Sequence, residues 1–364
     1  MKCYVCDDAL NKDNETDEHI IINAIGGRLK SKKLLCRDCN SDFGAKIDTK
    51  LAKELNIFAN MLMIRRDRGN PQEIIGTKES TNEQYSIDYQ GKINLTKPSV
   101  KDDGEEISIV ARNKKELRKI LKGFIKKYPD LNVDELTTQA EVKNERFKEK
   151  LHFQPQIGGK EIFQAVCKCA VNFYVDNINR QEEIKHLISY IKNEESLDVV
   201  NFCFTKNIYK LDNEEALHIL HIVGDKKERI LYAYIDYFNV CKYIVLLNDK
   251  YLGENISFSY CFDLINMVEI KKKINLKYTR SELLKLIKSK ERDYQSTKES
   301  FERFLNLALT RQDKKIQTEY IRDSINEVFD KYSDVTKITP KIMDDIHKSF
   351  MKRMTPYIVN RMGD

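Results

Sequence analysis

The stretch EHIIINAIGGRLKSKKLLCRDCN, residues 18–40, decides the fold of the N-terminal part of this chain. It starts with Glu18-His19 in a β-branched apolar run, turns at Gly26-Gly27 and continues through the apolar pair Leu34-Leu35. A helix is then expected to begin near Asp38 to Asn40. Strand, turn, strand and helix within about 30 residues predict a ββα unit.

Two Cys-x-x-Cys pairs bracket this unit. Each pair forms a tight turn that can present two thiolates to one ion, and two such turns give the tetrahedral four-sulfur site that suits structural Zn²⁺. Zinc would replace the hydrophobic core that about 50 residues cannot build alone. Four unligated thiols that share this spacing by chance are the alternative. The predicted zinc ligands are Cys3, Cys6, Cys36 and Cys39.

Composition places the chain among globular proteins, because 41% of its residues are hydrophobic and 33% are charged. No run of about 18 apolar residues exists to span a membrane, and the N-terminus MKCYVCDD lacks an apolar signal core. We therefore expect a cytoplasmic protein whose thiols stay reduced. The five cysteines outside the two pairs lie among apolar neighbours and are expected to be buried. A net charge of +6 does not by itself imply a polyanionic partner.

The 364 residues are enough for two or three domains. Residues 1–70 are predicted to form the cysteine-bracketed unit, ending in a helix on which Phe43, Ile47, Leu51 and Leu55 recur at helical spacing. Residues 71–277 are predicted to be a mixed α/β region for recognition or regulation. Residues 278–364 are charged and predicted to be helical. The predicted fold class is α+β.

Within these regions the hydrophobic pattern predicts individual elements. Residues 73–110 are predicted to form hairpins, and 217–224 and 229–238 are predicted to pair as another. Other strands are predicted at 199–205 and 241–248, and helices at 113–128, 161–174, 281–310, 314–332 and 340–360.

Residues 17–44, DEHIIINAIGGRLKSKKLLCRDCNSDFG, resemble the HNH endonucleases, in particular the group whose ββα-metal core is held by two Cys-x-x-Cys pairs. The resemblance covers residues 1 to about 70. It implies that His19 is the general base that takes a proton from the attacking water. It implies that Glu18 and the amide oxygen of Asn40 hold a catalytic Mg²⁺ or Mn²⁺, that DNA is the substrate, and that the protein acts in bacterial restriction or phage defence.

Three positions depart from that family pattern. Ile22 stands where the family usually has proline, and Ser31 or Lys32 stands where it has its middle asparagine. Gly44 stands where a further histidine would follow on the helix. Only two protein ligands for a catalytic ion are therefore evident.

The chemistry also follows from the residue types. An imidazole suits the role of base at neutral pH, and a hard cation held by oxygens stabilises charge on the leaving 3′-oxygen. The connection between the two strands is basic and could grip the DNA backbone, or it could simply keep an exposed loop soluble. Its basic residues are Arg28, Lys30, Lys32 and Lys33.

Three functional hypotheses remain open from the sequence. The first is a metal-dependent DNA endonuclease whose other residues select or gate the substrate. The second is a non-catalytic, zinc-stapled nucleic-acid-binding protein with a degenerate core. The third is a nuclease switched on by a regulatory ligand or protein partner that binds residues 160–270. The oligomeric state is not fixed by any of them.

Overall fold

The structure is a computed structural model that describes residues 1–67, 69–89, 91, 93–102, 106–141, 150–334 and 337–362. Its contacts define two compact units, Met1–Phe304 and Leu305–Asp364. Helices and antiparallel sheets alternate along the first unit and helices make up the second, which confirms the predicted α+β class. The division of the chain at residues 70 and 278 stays a prediction. No described helix combines the length and the apolar character that a membrane crossing requires.

The N-terminal segment is a ββα unit, as the sequence predicts. Strands β1 (Glu18–His19) and β2 (Lys30–Ser31) pair antiparallel, with Glu18 opposite Ser31 and His19 opposite Lys30. The prediction that Leu34-Leu35 forms the second strand is wrong: both side chains are fully buried and serve as core instead. After a 3₁₀ turn at Asn23–Ile25, the helical part comprises α1 (Arg37–Phe43), a π-helical turn (Gly44–Asp48) and α2 (Thr49–Met61).

The Gly26-Gly27 turn between β1 and β2 requires glycine at both positions. Gly26 has a φ of +96°, and a Cβ there would lie 2.7 Å from Ile64 and 2.8 Å from Leu264. A Cβ on Gly27 would lie 1.8 Å from the carbonyl oxygen of Ile21. The turn thus packs closely against the backbone just after β1, against Ile64, and against a loop of the large sheet described below.

The segment after α2 forms the predicted hairpins. A four-stranded sheet has the order β5-β4-β3-β8, and β6 pairs with β7. Helix α3 begins after Asn113, whose side chain accepts a hydrogen bond from the Glu116 amide, and ends four residues before the predicted Tyr128. Residues 90, 92 and 103–105 of the predicted hairpins lie outside the described residues. The elements are β3 (Ile74–Lys78), β4 (Gln84–Ile87), β5 (Ile93–Leu95), β6 (Ser99–Asp102), β7 (Ile107–Val110), α3 (Lys114–Phe124), α4 (Val133–Gln139) and β8 (Leu151–His152).

A six-stranded antiparallel sheet with the order β14-β13-β10-β11-β12-β9 forms the centre of the first unit. The predicted hairpin of residues 217–238 is confirmed as β10 and β11. The sequence analysis did not identify β13 and β14. The elements are α5 (Lys160–Ile178), α6 (Ile188–Ile191), β9 (Val200–Phe202), β10 (Leu217–Asp225), β11 (Ile230–Tyr237), β12 (Cys241–Asn248), β13 (Ile256–Asp263) and β14 (Val268–Ile270), with short 3₁₀ turns at Gln181–Glu183 and Lys185–Leu187.

Both faces of this sheet are covered, so β11 is buried along its whole length. On one face Tyr232 and Tyr234 pack with Leu283 of α7 (Arg280–Lys288). Side chains alternate along a strand, and on the other face Tyr243 lies edge-on to Phe163 of α5 at 6.3 Å. The five cysteines outside the N-terminal pairs are buried, as expected.

The two remaining helices are α8 (Tyr294–Asp330) and α9 (Pro340–Met362). The prediction of separate helices at 281–310 and 314–332 is wrong, because α7 ends at Lys288 and α8 continues through residues 311–313. That segment contains neither glycine nor proline to break a helix. Within the second unit, the Tyr320 hydroxyl donates to the carbonyl of Arg353 at 3.0 Å and ties α8 to α9.

Candidate functional site

The four predicted zinc ligands converge on one point. Their Sγ atoms all lie within 4.8 Å of one another, and those of Cys6 and Cys36 are 3.7 Å apart. Four sulfurs bound to one Zn²⁺ at about 2.3 Å are about 3.8 Å apart, so the spacing fits a tetrahedral zinc site. A hydrogen bond from the Tyr4 amide to the Leu34 carbonyl holds the two cysteine turns side by side. The cluster is compatible with structural zinc.

His19 lies at the end of β1 with about a quarter of its side chain exposed. Because His19 is opposite Lys30 in the hairpin, both side chains project from the same face. Burial, followed by the positive charges of Lys30 and Arg28, lowers the pKa of His19 to about 4. The imidazole is therefore neutral at pH 7, which is the form that accepts a proton.

The carboxylate of Asp67 faces this histidine. Its Oδ1 is paired with Arg28, and its Oδ2 lies 2.6 Å from Lys30 Nζ and 3.4 Å from His19 Nε2. The backbone fixes Asp67 as well, because its amide donates to the side chain of Asn23 at 3.1 Å. Two of the four predicted DNA-binding residues thus meet His19 at one acidic group.

Glu18 points away from this group into the interior. Its side chain is only 3% exposed, and its Oε1 lies 2.7 Å from Lys168 Nζ. The same Oε1 accepts a hydrogen bond from Asn172 at 2.8 Å. His19 and Glu18 share no polar partner among the described residues, as expected for adjacent residues on a strand.

Lys168 of α5 is the centre of a buried ionic network. Its ammonium is 2% exposed and bridges Glu18 to Asp48, whose Oδ2 lies 2.5 Å away. Burial lowers the pKa of Lys168, but Asp48 and Glu18 outweigh that effect and raise its pKa above the usual lysine value. Asn172, one helical turn later, also accepts a hydrogen bond from the Tyr4 hydroxyl at 2.7 Å. Helix α5 therefore supplies the polar partners of the buried side of the ββα unit.

The other predicted site residues have partners other than Asp67. The side-chain amide of Asn40 donates to Thr16 Oγ1 at 3.2 Å, which leaves its oxygen without a hydrogen bond to the described residues. Lys32 pairs with Glu15 at 3.2 Å, and Lys33 is exposed. Ser31, one of the two candidates for the position of the family's middle asparagine, accepts a hydrogen bond from the Lys33 amide at 3.2 Å.

The sequence analysis missed three charged residues of the site. Lys168 carries a signal, since a lysine inside the otherwise apolar run AVCKCAV of a buried helix requires an acidic partner. Asp67 is the one acid in the basic run RRDR, a weaker indication. No feature of the sequence around Asp48 indicates that this residue belongs to the site. The assignment of Glu18 and Asn40 to a catalytic ion stays a prediction.

Replacing Lys168 by methionine should destabilise the protein by about 3–5 kcal/mol, because Glu18 and Asp48 would lose the ammonium that bridges them while Glu18 stays buried. Urea unfolding followed by circular dichroism measures the difference in the free energy of unfolding. The matched surface change is Lys185→Met, which removes an ammonium 2.8 Å from exposed Glu182 and should leave the free energy of unfolding nearly unchanged.

A second comparison identifies the cause of that loss. Adding Glu18→Gln and Asp48→Asn to Lys168→Met removes the uncompensated charges and should recover part of the stability. Equal stability losses for Lys168→Met and Lys185→Met would contradict the role assigned to the network.

Comparison of the chain with curated proteins and with solved structures found no match. A family model does match, and it covers the segment that contains the cysteine cluster, the β1–β2 hairpin, α1 and most of α2. The matched family is described as HNH endonuclease, in agreement with the resemblance seen in the sequence. Through this match over residues 3–56, the protein has an N-terminal HNH endonuclease domain.

Proposed function

We propose that the protein is a metal-dependent endonuclease that hydrolyses phosphodiester bonds of DNA at its N-terminal HNH domain. The observation that supports this most is the neutral, partly exposed imidazole of His19 beside Arg28 and Lys30, on the hairpin of a segment that matches HNH endonucleases. A base and two cations at one surface point are what attack on a phosphate requires.

In this proposal His19 takes the proton from the attacking water. Arg28 and Lys30 draw the phosphate to the imidazole and offset the negative charge that grows on its oxygens. The orientation of the Arg28 side chain is fixed by a second contact, because its guanidinium also donates to the carbonyl of Arg65 at 2.6 Å. A bound phosphate would partly neutralise the two cations and so make the imidazole a stronger base.

The catalytic ion, Mg²⁺ or Mn²⁺, is assigned to the oxygens of Glu18 and Asn40. When bound, it would stabilise the charge on the leaving 3′-oxygen. Carboxylate and amide oxygens are suitable donors for such an ion, and the side-chain oxygen of Asn40 has no described hydrogen bond. Glu18 fits less simply, because Lys168 and Asn172 both contact its Oε1.

Lys32 and Lys33 complete the proposed DNA-binding surface, since both are exposed on the loop after β2. The substrate-selecting or regulatory role falls to the residues after the HNH domain. A biological role in restriction or phage defence rests on the resemblance, in which a small nuclease unit is joined to a much larger remainder.

The purified protein should nick or cut supercoiled plasmid when Mg²⁺ or Mn²⁺ is supplied. The expected reaction stops on addition of EDTA and resumes when excess Mg²⁺ is restored, because only the weakly held catalytic ion exchanges on this time scale. Gel electrophoresis of the plasmid measures both steps.

The control reaction contains the same protein with its zinc content measured and no divalent ion added. Plasmid that stays supercoiled with both metals, on DNAs of several sequences and with zinc present, would contradict the nuclease proposal. That result would favour the second candidate, a non-catalytic zinc-stapled nucleic-acid-binding protein. One observation already favours that candidate, namely the ammonium on Glu18.

Gating by a ligand is supported by a cavity of about 280 Å³ beside β9. Phe202 and Phe204 line it, and the Arg292 guanidinium lies 5.1 Å from the Phe202 ring. Apolar walls with a few polar groups are typical of small-molecule sites. Full nuclease activity of the purified protein with metal alone would argue against a required ligand.

A further inference from the structure

The feature that carries an inference beyond these roles is the convergence of His19, Arg28 and Lys30 on Asp67. These three residues come from β1, the connection and β2, whereas Asp67 comes from the segment after α2. All four side chains are between 23% and 38% exposed, so the group lies at the surface and not in the core. Arg28 and Lys30 both take Asp67 as their ion-pair partner, and the imidazole faces the same carboxylate.

The carboxylate of Asp67 has the charge and shape of a phosphodiester anion. Both groups carry one negative charge spread over two oxygens. One oxygen of Asp67 is paired with Arg28, and the other is 2.6 Å from Lys30. A DNA phosphate that met the same two cations would bring its oxygens to the side chain proposed as the base, because His19 Nε2 lies 3.4 Å from Oδ2.

We propose that Asp67 occupies the position of the scissile DNA phosphate, in an anion site formed by His19, Arg28 and Lys30. This inference rests on the proposed nuclease function and deepens it by naming where the substrate phosphate binds. DNA must displace the Asp67 carboxylate to reach His19. The protein thus carries an internal competitor that weakens DNA binding at its own site.

The displacement is feasible because the contacts of Asp67 are exposed. Ion pairs of this exposure are weak, so a DNA duplex that also contacts neighbouring basic residues can outcompete a single carboxylate. The amide of Asp67 is bonded to Asn23 independently of its side chain, so an amide substitution retains the backbone contact.

Asp67→Asn should therefore bind DNA more tightly than the wild-type protein. Fluorescence anisotropy with a labelled duplex, in EDTA to prevent cleavage, measures the affinity over a series of NaCl concentrations. We expect a gain of about three- to tenfold, the size of two exposed ion pairs that no longer compete. The slope of log K against log [NaCl] should steepen by about 0.9, as expected for one additional positive charge at the DNA.

The control variant is Asp344→Asn in α9, which also removes one carboxylate 2.6 Å from a lysine, Lys348. It should change the DNA affinity by less than about twofold, because the lysine that Asp344 pairs with is not one of the three residues of the proposed anion site. Adding Arg28→Gln to Asp67→Asn should cancel the gain in DNA affinity, because that gain requires the guanidinium of Arg28 to contact the DNA phosphate. Asp67→Ser provides a second variant, and zinc content reports folding in each.

The outcomes separate this inference from the nuclease proposal. Equal affinities of Asp67→Asn and Asp344→Asn for DNA would overturn the anion site, whatever the plasmid assay shows. A gain in binding with no nicking by any variant would uphold the anion site and contradict the nuclease. A gain that shrinks when chloride is replaced by inorganic phosphate at equal ionic strength would support the anion site, because free phosphate competes with DNA for the same two cations.

Discussion

Replacing His19 by alanine is expected to lower the rate of plasmid cleavage by about 10²–10⁴-fold, the usual contribution of a general base. DNA binding and zinc content should stay near the wild-type values, because the imidazole is neutral and lies outside the cysteine cluster. Single-turnover cleavage rates, anisotropy and zinc analysis of the same preparation measure the three quantities. A loss of rate without loss of binding is the result that a base, and not a binding residue, produces.

His152→Ala is a close control for this experiment. His152 lies in β8, and its Nε2 is 3.4 Å from a carboxylate oxygen of Glu79, the same separation that His19 has from Asp67. This variant should cleave at the wild-type rate. If His19→Ala still cuts plasmid at the wild-type rate, His19 is not the general base, although the protein is then a nuclease.

Loss of the zinc ligands is expected to have the largest effect on stability. Zinc binding to structural sites contributes about 10–16 kcal/mol of apparent free energy, which is comparable to the whole stability of a typical domain. Cys36→Ser should therefore reduce the zinc content from one ion per chain to a small fraction of one, and it should unfold the ββα unit. Elemental analysis and limited proteolysis within residues 1–56 measure the two effects.

Cys261→Ala is the matched control, because Cys261 is also a buried, free cysteine but lies in β13, outside the cluster. It should retain one zinc ion per chain and leave residues 1–56 resistant to protease. A fully folded, zinc-free protein with all four cysteines reduced would contradict the structural role of the metal.

The parts of the N-terminal unit that could be predicted depend on short spacings in the sequence. Cys3 and Cys6, like Cys36 and Cys39, are close in the chain, so their geometry follows from two local turns. The hairpin and its Gly26-Gly27 turn are likewise local, although the actual second strand lies four residues earlier than predicted. The larger hairpin of β10 and β11 was predictable because a polar turn separates two strongly apolar runs.

The surroundings of the site could not be predicted, because they depend on contacts between distant parts of the chain. Lys168 is 150 residues from Glu18 in the sequence, and Asp67 is 48 residues from His19. Both contacts exist only because α5 and the segment after α2 lie against strand β1. A single sequence shows that Lys168 needs an acidic partner but not which residue it is, and whether Glu18 is free to hold an ion depends on that answer.

The position of α5 restricts how the HNH segment could be exchanged between proteins. Glu18 depends on α5 for its cation, and the carbonyl of Ile25 accepts a hydrogen bond from His218 of β10 at 2.9 Å. A graft of the first 70 residues onto a foreign scaffold would abandon both partners. Recombination that preserves the HNH segment therefore has to include α5 and the large sheet, so the two parts are expected to be inherited together.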